Sequence, residues 1–430
     1  MIRHALVAAA AAGLLLGSSA PALAGQPYPL NFNTVNFGSG VTSGLANSAG
    51  KLTLASGSLR SFSYRDPYAS VPVLGAAVDG SGSYSYGTWT SPVYNLSFRF
   101  NELVSSWDAR TSPGTWVQSE VLPQFDDGHW ASKWYVLGRW TYNDSDFHRT
   151  SVGGQGDADG FVSIDTFFAK DHPAIAYRLR LTIYRRAGLT AATAPASVSR
   201  YSAVASNLTN QKQDFPSVTT MNGDTIDLGV PQYSQEIHHG HYPQFDNGGE
   251  AWCSPTSTAM VVRYWQKTTR TQYAPTSAET SWVNPPQDPE VDYTARFVFD
   301  YHYQGAGNWP FNTAYAAERG LVSDVTQLHN LSEAEPFIKA RIPLVASVAW
   351  TSNKLDTAIK STNGHLMVIG GFTGTGDVIA YDPASPTDAE VRHVYNREQF
   401  ERAWIPASGG VVYVDRPAGW PTPSLIGNNS

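Results

Sequence analysis

The chain carries a single cysteine, Cys253, in 430 residues. No disulfide can form within it, and no cysteine cluster is available for a structural zinc site. Long apolar runs are scarce as well: past the first two dozen residues nothing approaches the ~18 consecutive apolar residues that a membrane-spanning helix needs. Basic charge is in deficit, with 29 Lys and Arg against 36 Asp and Glu for a net charge of −7, which argues against nucleic acid as a partner. Their place is taken by 13 Trp, 22 Tyr, 37 Gly and 27 Pro, a composition of strands and tight turns.

The first residues are the exception to the shortage of apolar runs. Met1-Ile2-Arg3-His4 leads into an apolar stretch from Ala5 to Leu16 and then Pro21-Ala22-Leu23-Ala24. A basic start, a short apolar core and small residues at 22 and 24 read as a secretory signal peptide over 1–24. The mature protein is therefore expected to be secreted and extracellular, without stable membrane insertion. A single thiol in an oxidising compartment is a liability unless it is buried or used.

Some 400 remaining residues suggest two domains. From 26 to 206 the chain shows alternating runs such as Tyr94–Phe100, Thr115–Val121, Trp134–Trp140 and Ala176–Tyr184, divided by Gly, Ser, Asn and Asp. Period-two alternation predicts an all-β sandwich without helices. Trp107, Trp116, Trp130 and Trp140 either stack on sugar rings, giving a possible cell-wall or glycan contact, or belong to the core, which is the better reading. Gly156-Asp157-Ala158-Asp159-Gly160 with Asp165 has carboxylates at alternating positions but lacks a full calcium-loop pattern, so a plain turn is expected. The polar segment 207–228 reads as a linker.

The second domain, 229–417 with a tail over 418–430, has an α+β order. Helices are expected from Cys253 to about Lys267 and over 291–301, 311–319 and 332–340, the last with Ser332 and Glu335 spaced as a capping box. Strands are expected over 343–349, 365–372, 378–381 and 410–414.

Cys253 begins a helix, where unpaired N–H groups and the helix dipole favour a thiolate. It is a candidate nucleophile, the alternative being a small buried hydrophobe. A nucleophile needs a base and a third group that orients the base. Gly364-His365 opens an apolar strand, a Thr-Gly-Thr-Gly-Asp turn follows, and the returning strand ends at Tyr381-Asp382-Pro383. An antiparallel hairpin about that turn would set His365 and Asp382 side by side. Gln235, upstream, could donate its amide to an oxyanion, with the Cys253 backbone N–H as the second donor. Each residue alone has an ordinary explanation, but the order of all four favours catalysis.

Val230-Pro231-Gln232-Tyr233-Ser234-Gln235, Cys253-Ser254-Pro255-Thr256-Ser257, Gly364-His365 and Tyr381-Asp382-Pro383 together resemble the C-39-like branch of the papain-like cysteine peptidases, over residues 229–415. The resemblance implies a papain-like α+β fold, with Cys253 as nucleophile, His365 as general base and acid, Asp382 as its orienter and Gln235 as oxyanion donor. The substrate implied is a peptide or a peptide-bearing polymer. An extracellular binding protein with a silent peptidase-like domain is the competing reading. Two features depart from the family: Ser254 stands where Gly is common, and the loop from Gln235 to Cys253 is long. Better-known relatives clip leader peptides inside export transporters, and nothing here resembles a transporter.

No cofactor is implied and no metal ligand is assigned. His238, His239 and His241 occupy the long loop, and imidazoles this close suit a transition metal. Neighbouring histidines rarely complete a tetrahedral site unaided, so a solvated loop is expected, with a metal or pH gate over Cys253 as the alternative.

Overall fold

The computed structural model describes residues 28–57, 59–209, 214–351, 355–357 and 359–424; the signal peptide expected over 1–24 lies outside them. No helix among the described residues is long and apolar enough to cross a membrane.

The first domain is made of two antiparallel seven-stranded sheets. In one, the Glu102–Thr111 and Ala196–Ser206 strands pair along nearly their whole length. In the other, Ala174–Arg186 lies between Thr115–Phe125 and Gly82–Thr90. Leu179, Leu181 and Ile183 alternate along that central strand and are fully buried, the period-two signature of a face turned to the core. The sheets are stitched together where the Ser119 hydroxyl meets those of Ser105 (2.7 Å) and Tyr201 (2.6 Å).

Glu102–Thr111 breaks the alternation, with every residue from Leu103 to Ala109 buried. Its outer face meets the second domain, so neither face sees water. Trp107 and Trp140 pack on Phe311 (ring centroids 6.3 and 5.3 Å). Ser106 and Asp108 accept backbone N–H groups of Val325 and Ser323, and buried Asp324 receives Arg200 (2.7 Å) and Ser202 (2.8 Å) across the boundary. One apolar core runs through both domains.

Among the described residues, the second domain is a seven-stranded antiparallel sheet with five α-helices. The strand order is Val322–Gln327, Val411–Arg416, Leu344–Trp350, Thr362–Phe372, Val378–Tyr381 and Arg392–Tyr395, with Ile226–Asp227 also on Thr362–Phe372. The helices are α1 (Cys253–Thr269), α2 (Pro289–Val298), α3 (Trp309–Glu318), α4 (Leu331–Lys339) and α5 (Arg397–Ser408). The first three pack on one another, and α1 and α3 also meet the sheet. This is the α+β, papain-like class.

Several local expectations are corrected. The cap of α4 is Asn330, which accepts the Glu333 N–H; Glu335 is instead buried on Thr219, Thr220 and Arg397. Those threonines lie in the expected linker, whose segment 214–228 is a packed strap with Ile226–Asp227 joining the sheet. In the expected tail, Trp420 is anchored on the Ala340 carbonyl and the Trp265 ring. α5 and the strands 322–327 and 392–395 were not apparent in the sequence. Pro406 masks the end of α5, and Val322–Gln327 mixes in polar residues that are nonetheless buried.

Candidate active site

Cys253 is the first residue of α1 and is partly exposed, so its backbone N–H has no acceptor within the helix. Behind it, Trp252 is fully buried and its indole N–H donates to the Phe245 carbonyl (2.6 Å). Ser254, fully buried, turns its hydroxyl to Tyr413 (2.9 Å). The side chain that departs from Gly is therefore directed into the interior at Tyr413. One turn on, the Ser257 hydroxyl donates to the Leu366 carbonyl (3.1 Å), setting the start of α1 against the strand that carries His365.

The hairpin delivers what the spacing predicts. Val368 faces Tyr381 and Ile369 faces Ala380, with the register shifting at Gly370. A side chain at Gly370 would strike the Tyr381 ring, with Cβ only 2.4 Å from it, so glycine is required there. His365 Nε2 donates to Asp382 Oδ1 (2.7 Å), which leaves Nδ1 free of the carboxylate. Asp382 is further satisfied by the Ala384 N–H (3.0 Å) and the Tyr395 hydroxyl (2.8 Å). Trp350 stands edge-on to the imidazole, with ring centroids 6.0 Å apart.

Electrostatics follow from these contacts. Burial opposes an imidazolium at His365, but the Asp382 carboxylate outweighs it and, with hydrogen bonding and charge from Cys253, raises the group to about 10. Asp382 is buried too, which favours its neutral form, yet the His365 charge and the donors around it hold it below the usual carboxylate range.

Gln235 is buried beside this dyad, its backbone N–H bonded to the Pro383 carbonyl (2.8 Å). Its amide nitrogen donates to the Glu250 carbonyl (2.9 Å) and to Glu236 Oε1 (3.0 Å). Both amide hydrogens are thus engaged, and an oxyanion would take the place of one of these acceptors. The long loop doubles back over Gln235: a Cβ at Gly249 would lie 2.3 Å from the Gln235 carbonyl oxygen.

The expectation of a solvated histidine loop is overturned. His238 is fully buried and His241 partly buried, both against Asp292 of α2. Only His239 is exposed, beside Glu250. These three, His238, His241 and Asp292, could hold a metal ion. Asp292 and Tyr395 carried no sequence signal, because each reaches its partner only through tertiary packing.

In the first domain, Trp107, Trp116 and Trp140 are buried and cannot stack on a glycan, while Trp130 is half-buried. The acidic turn is committed to protein donors: Asp157 accepts from Tyr135 (2.5 Å) and Asp165 from the Trp309 N–H (2.8 Å).

Residues 31–206 match the Peptidase C39 N-terminal domain, and residues 227–412 match the Peptidase_C39 like family. No curated protein matches the chain. Among solved structures, one from Bacillus anthracis described as a C39-like peptidase is 15% identical over 44% of this chain and 97% of its own, with a TM-score of 0.27.

Proposed function

From a C-terminal domain, residues 227–412, that belongs to the Peptidase_C39 like family, we propose that this protein is a secreted cysteine peptidase that hydrolyses peptide or amide bonds through an acyl-thioester on Cys253. The observation that carries the reading is the buried His365–Asp382 pair at 2.7 Å, in a domain whose partly exposed thiol at a helix N-terminus interacts with the same imidazole. The Cys253 thiolate attacks the scissile carbonyl carbon, and the oxyanion takes the Cys253 N–H and the Gln235 amide as donors. His365 then gives its proton to the leaving amine, and on its return as a base it takes one from the water that clears the acyl-enzyme. The substrate is a peptide or a peptide-bearing polymer outside the cell.

A second reading, a binding protein with a silent peptidase-like domain, draws on the engagement of both Gln235 amide hydrogens. Activity against a mixed peptide library and purified cell wall, measured beside Cys253→Ala, separates the two. Cleavage lost in the variant supports the peptidase. Cleavage that survives ends the mechanism, and none in either protein, together with slow iodoacetamide labelling unaffected by His365→Ala, favours the silent domain.

A further inference from the structure

Four histidines are buried among the described residues: His148, His238, His329 and His365. Three have their ring nitrogens provided for. His148 meets Asp66 (2.8 Å) and the Val71 carbonyl (3.0 Å), His329 meets Glu333 and the Tyr28 carbonyl (both 2.9 Å), and His365 lies between Asp382 and Cys253. His238 is different. Its Nδ1 is 2.8 Å from Asp292 Oδ2, yet neither ring nitrogen nor that oxygen has an aligned hydrogen-bond partner. An unpaired buried polar atom is costly, and such atoms call for an explanation.

Close approach without hydrogen-bond alignment is what lone pairs converging on a common point look like. His241 Nδ1 is hydrogen-bonded to the other Asp292 oxygen (3.0 Å), so the misaligned contact is that of His238 alone; the two imidazoles stand at 89° with centroids 5.3 Å apart, and three ligand atoms of the group lie within 4.8 Å of one another. We propose that His238, His241 and Asp292 bind one transition-metal ion of the Zn2+ class. Ligands about 2.0–2.2 Å from such an ion stand little farther apart than these atoms do. Two imidazoles and one carboxylate select a borderline ion over Ca2+ or Mg2+, which take oxygen shells. His241, with 14% of its side chain exposed, marks the side from which the ion enters and where water completes the shell.

The ion would join the loop to α2. The His238 N–H donates to the Gln235 carbonyl (3.0 Å), so the ligand set braces the residue next to the dyad. α2 is itself held from the first domain: Arg149 donates to the Arg296 carbonyl at its end (2.8 Å), and Arg296 pairs with Asp144 through two bonds of 2.8 Å.

The test uses the full chain, stripped with chelator and titrated with Co2+ and Zn2+. One equivalent of Co2+ should bind with the visible spectrum of a tetrahedral N/O site, Zn2+ should displace it, and Ca2+ and Mg2+ should not. Binding should persist in Cys253→Ala and His239→Ala, and weaken at least about 100-fold in Asp292→Asn and His238→Gln. Failure of the wild-type chain to bind one equivalent overturns the proposal. So does loss of binding in Cys253→Ala, which would put the ion on the thiol, or undiminished binding in Asp292→Asn and His238→Gln.

Discussion

Two buried histidine–aspartate pairs lie in the same domain, His365–Asp382 at 2.7 Å and His238–Asp292 at 2.8 Å, and almost equal distances conceal opposite chemistry. In the first, the ring N–H points at the carboxylate, and both carboxylate oxygens take further donors from Ala384 and Tyr395. Such a pair holds a proton. In the second the contact is out of line and leaves three buried atoms unpaired. Distance identifies a pair; alignment and the remaining partners decide what it is for. The first-domain pair, His148–Asp66, is the structural reference, with both ring nitrogens bonded and no reactive group beside it.

The comparison breaks hardest at the dyad. His365→Ala should lower cleavage by about 10³-fold or more and slow iodoacetamide labelling of Cys253 at neutral pH, while circular dichroism stays native. A variant that labels as fast as the wild type would separate His365 from the thiol. Asp382→Asn should cost about 10²–10⁴-fold in kcat, because an amide in place of the carboxylate no longer stabilises the imidazolium. Tyr395→Phe, which removes one donor to that carboxylate, should cost about tenfold, read as a change in kcat with little change in KM.

pH sharpens the contrast further. His365 is raised from 6.5 to about 10, so its pairing stabilises the fold fully below 6.5, and that contribution is lost as pH rises through about 10. Asp382 is lowered from 3.8; its contribution is present above 3.8 and is lost as pH falls through its depressed value. Amide cleavage, which needs the His365 proton for the leaving group, should therefore fall above pH 10. Alkylation of Cys253 needs no acid and should not fall with it. Parallel decline of the two rates would contradict the assignment of His365 as the acid.

The smallest functional effect belongs to the reference pair. His148→Gln should cost about 1–3 kcal/mol of stability in denaturant titrations, while leaving Cys253 labelling and Co2+ binding unchanged. A change in either readout would mean that the first domain reaches the site through more than packing.

The contrast also bears on what could be read before folding. His365 and Asp382 are legible because a hairpin is a local object: strand, turn and strand follow in order, and pairing about the turn sets the partners. Cys253 is legible for the same reason, since the helix start lies in its own neighbours. His238 is not, for its counterpart Asp292 sits on a helix 51 residues beyond His241, and a polar loop of closely spaced histidines has the composition of a solvated one. The buried tryptophans divide in the same way, their alternation predicting strands but not which face meets the second domain.

By itself, then, the sequence determined the two-domain β and α+β order and the trio of Cys253, His365 and Asp382, all of which depend on periodicity and contacts close along the chain. Only the tertiary structure decided that the segment 214–228 is a packed strap, that Gln235 has its amide hydrogens engaged, that Tyr395 backs Asp382, and that the histidine loop folds inward on Asp292. Those depend on which distant surfaces exclude water from each other, and no local pattern encodes that.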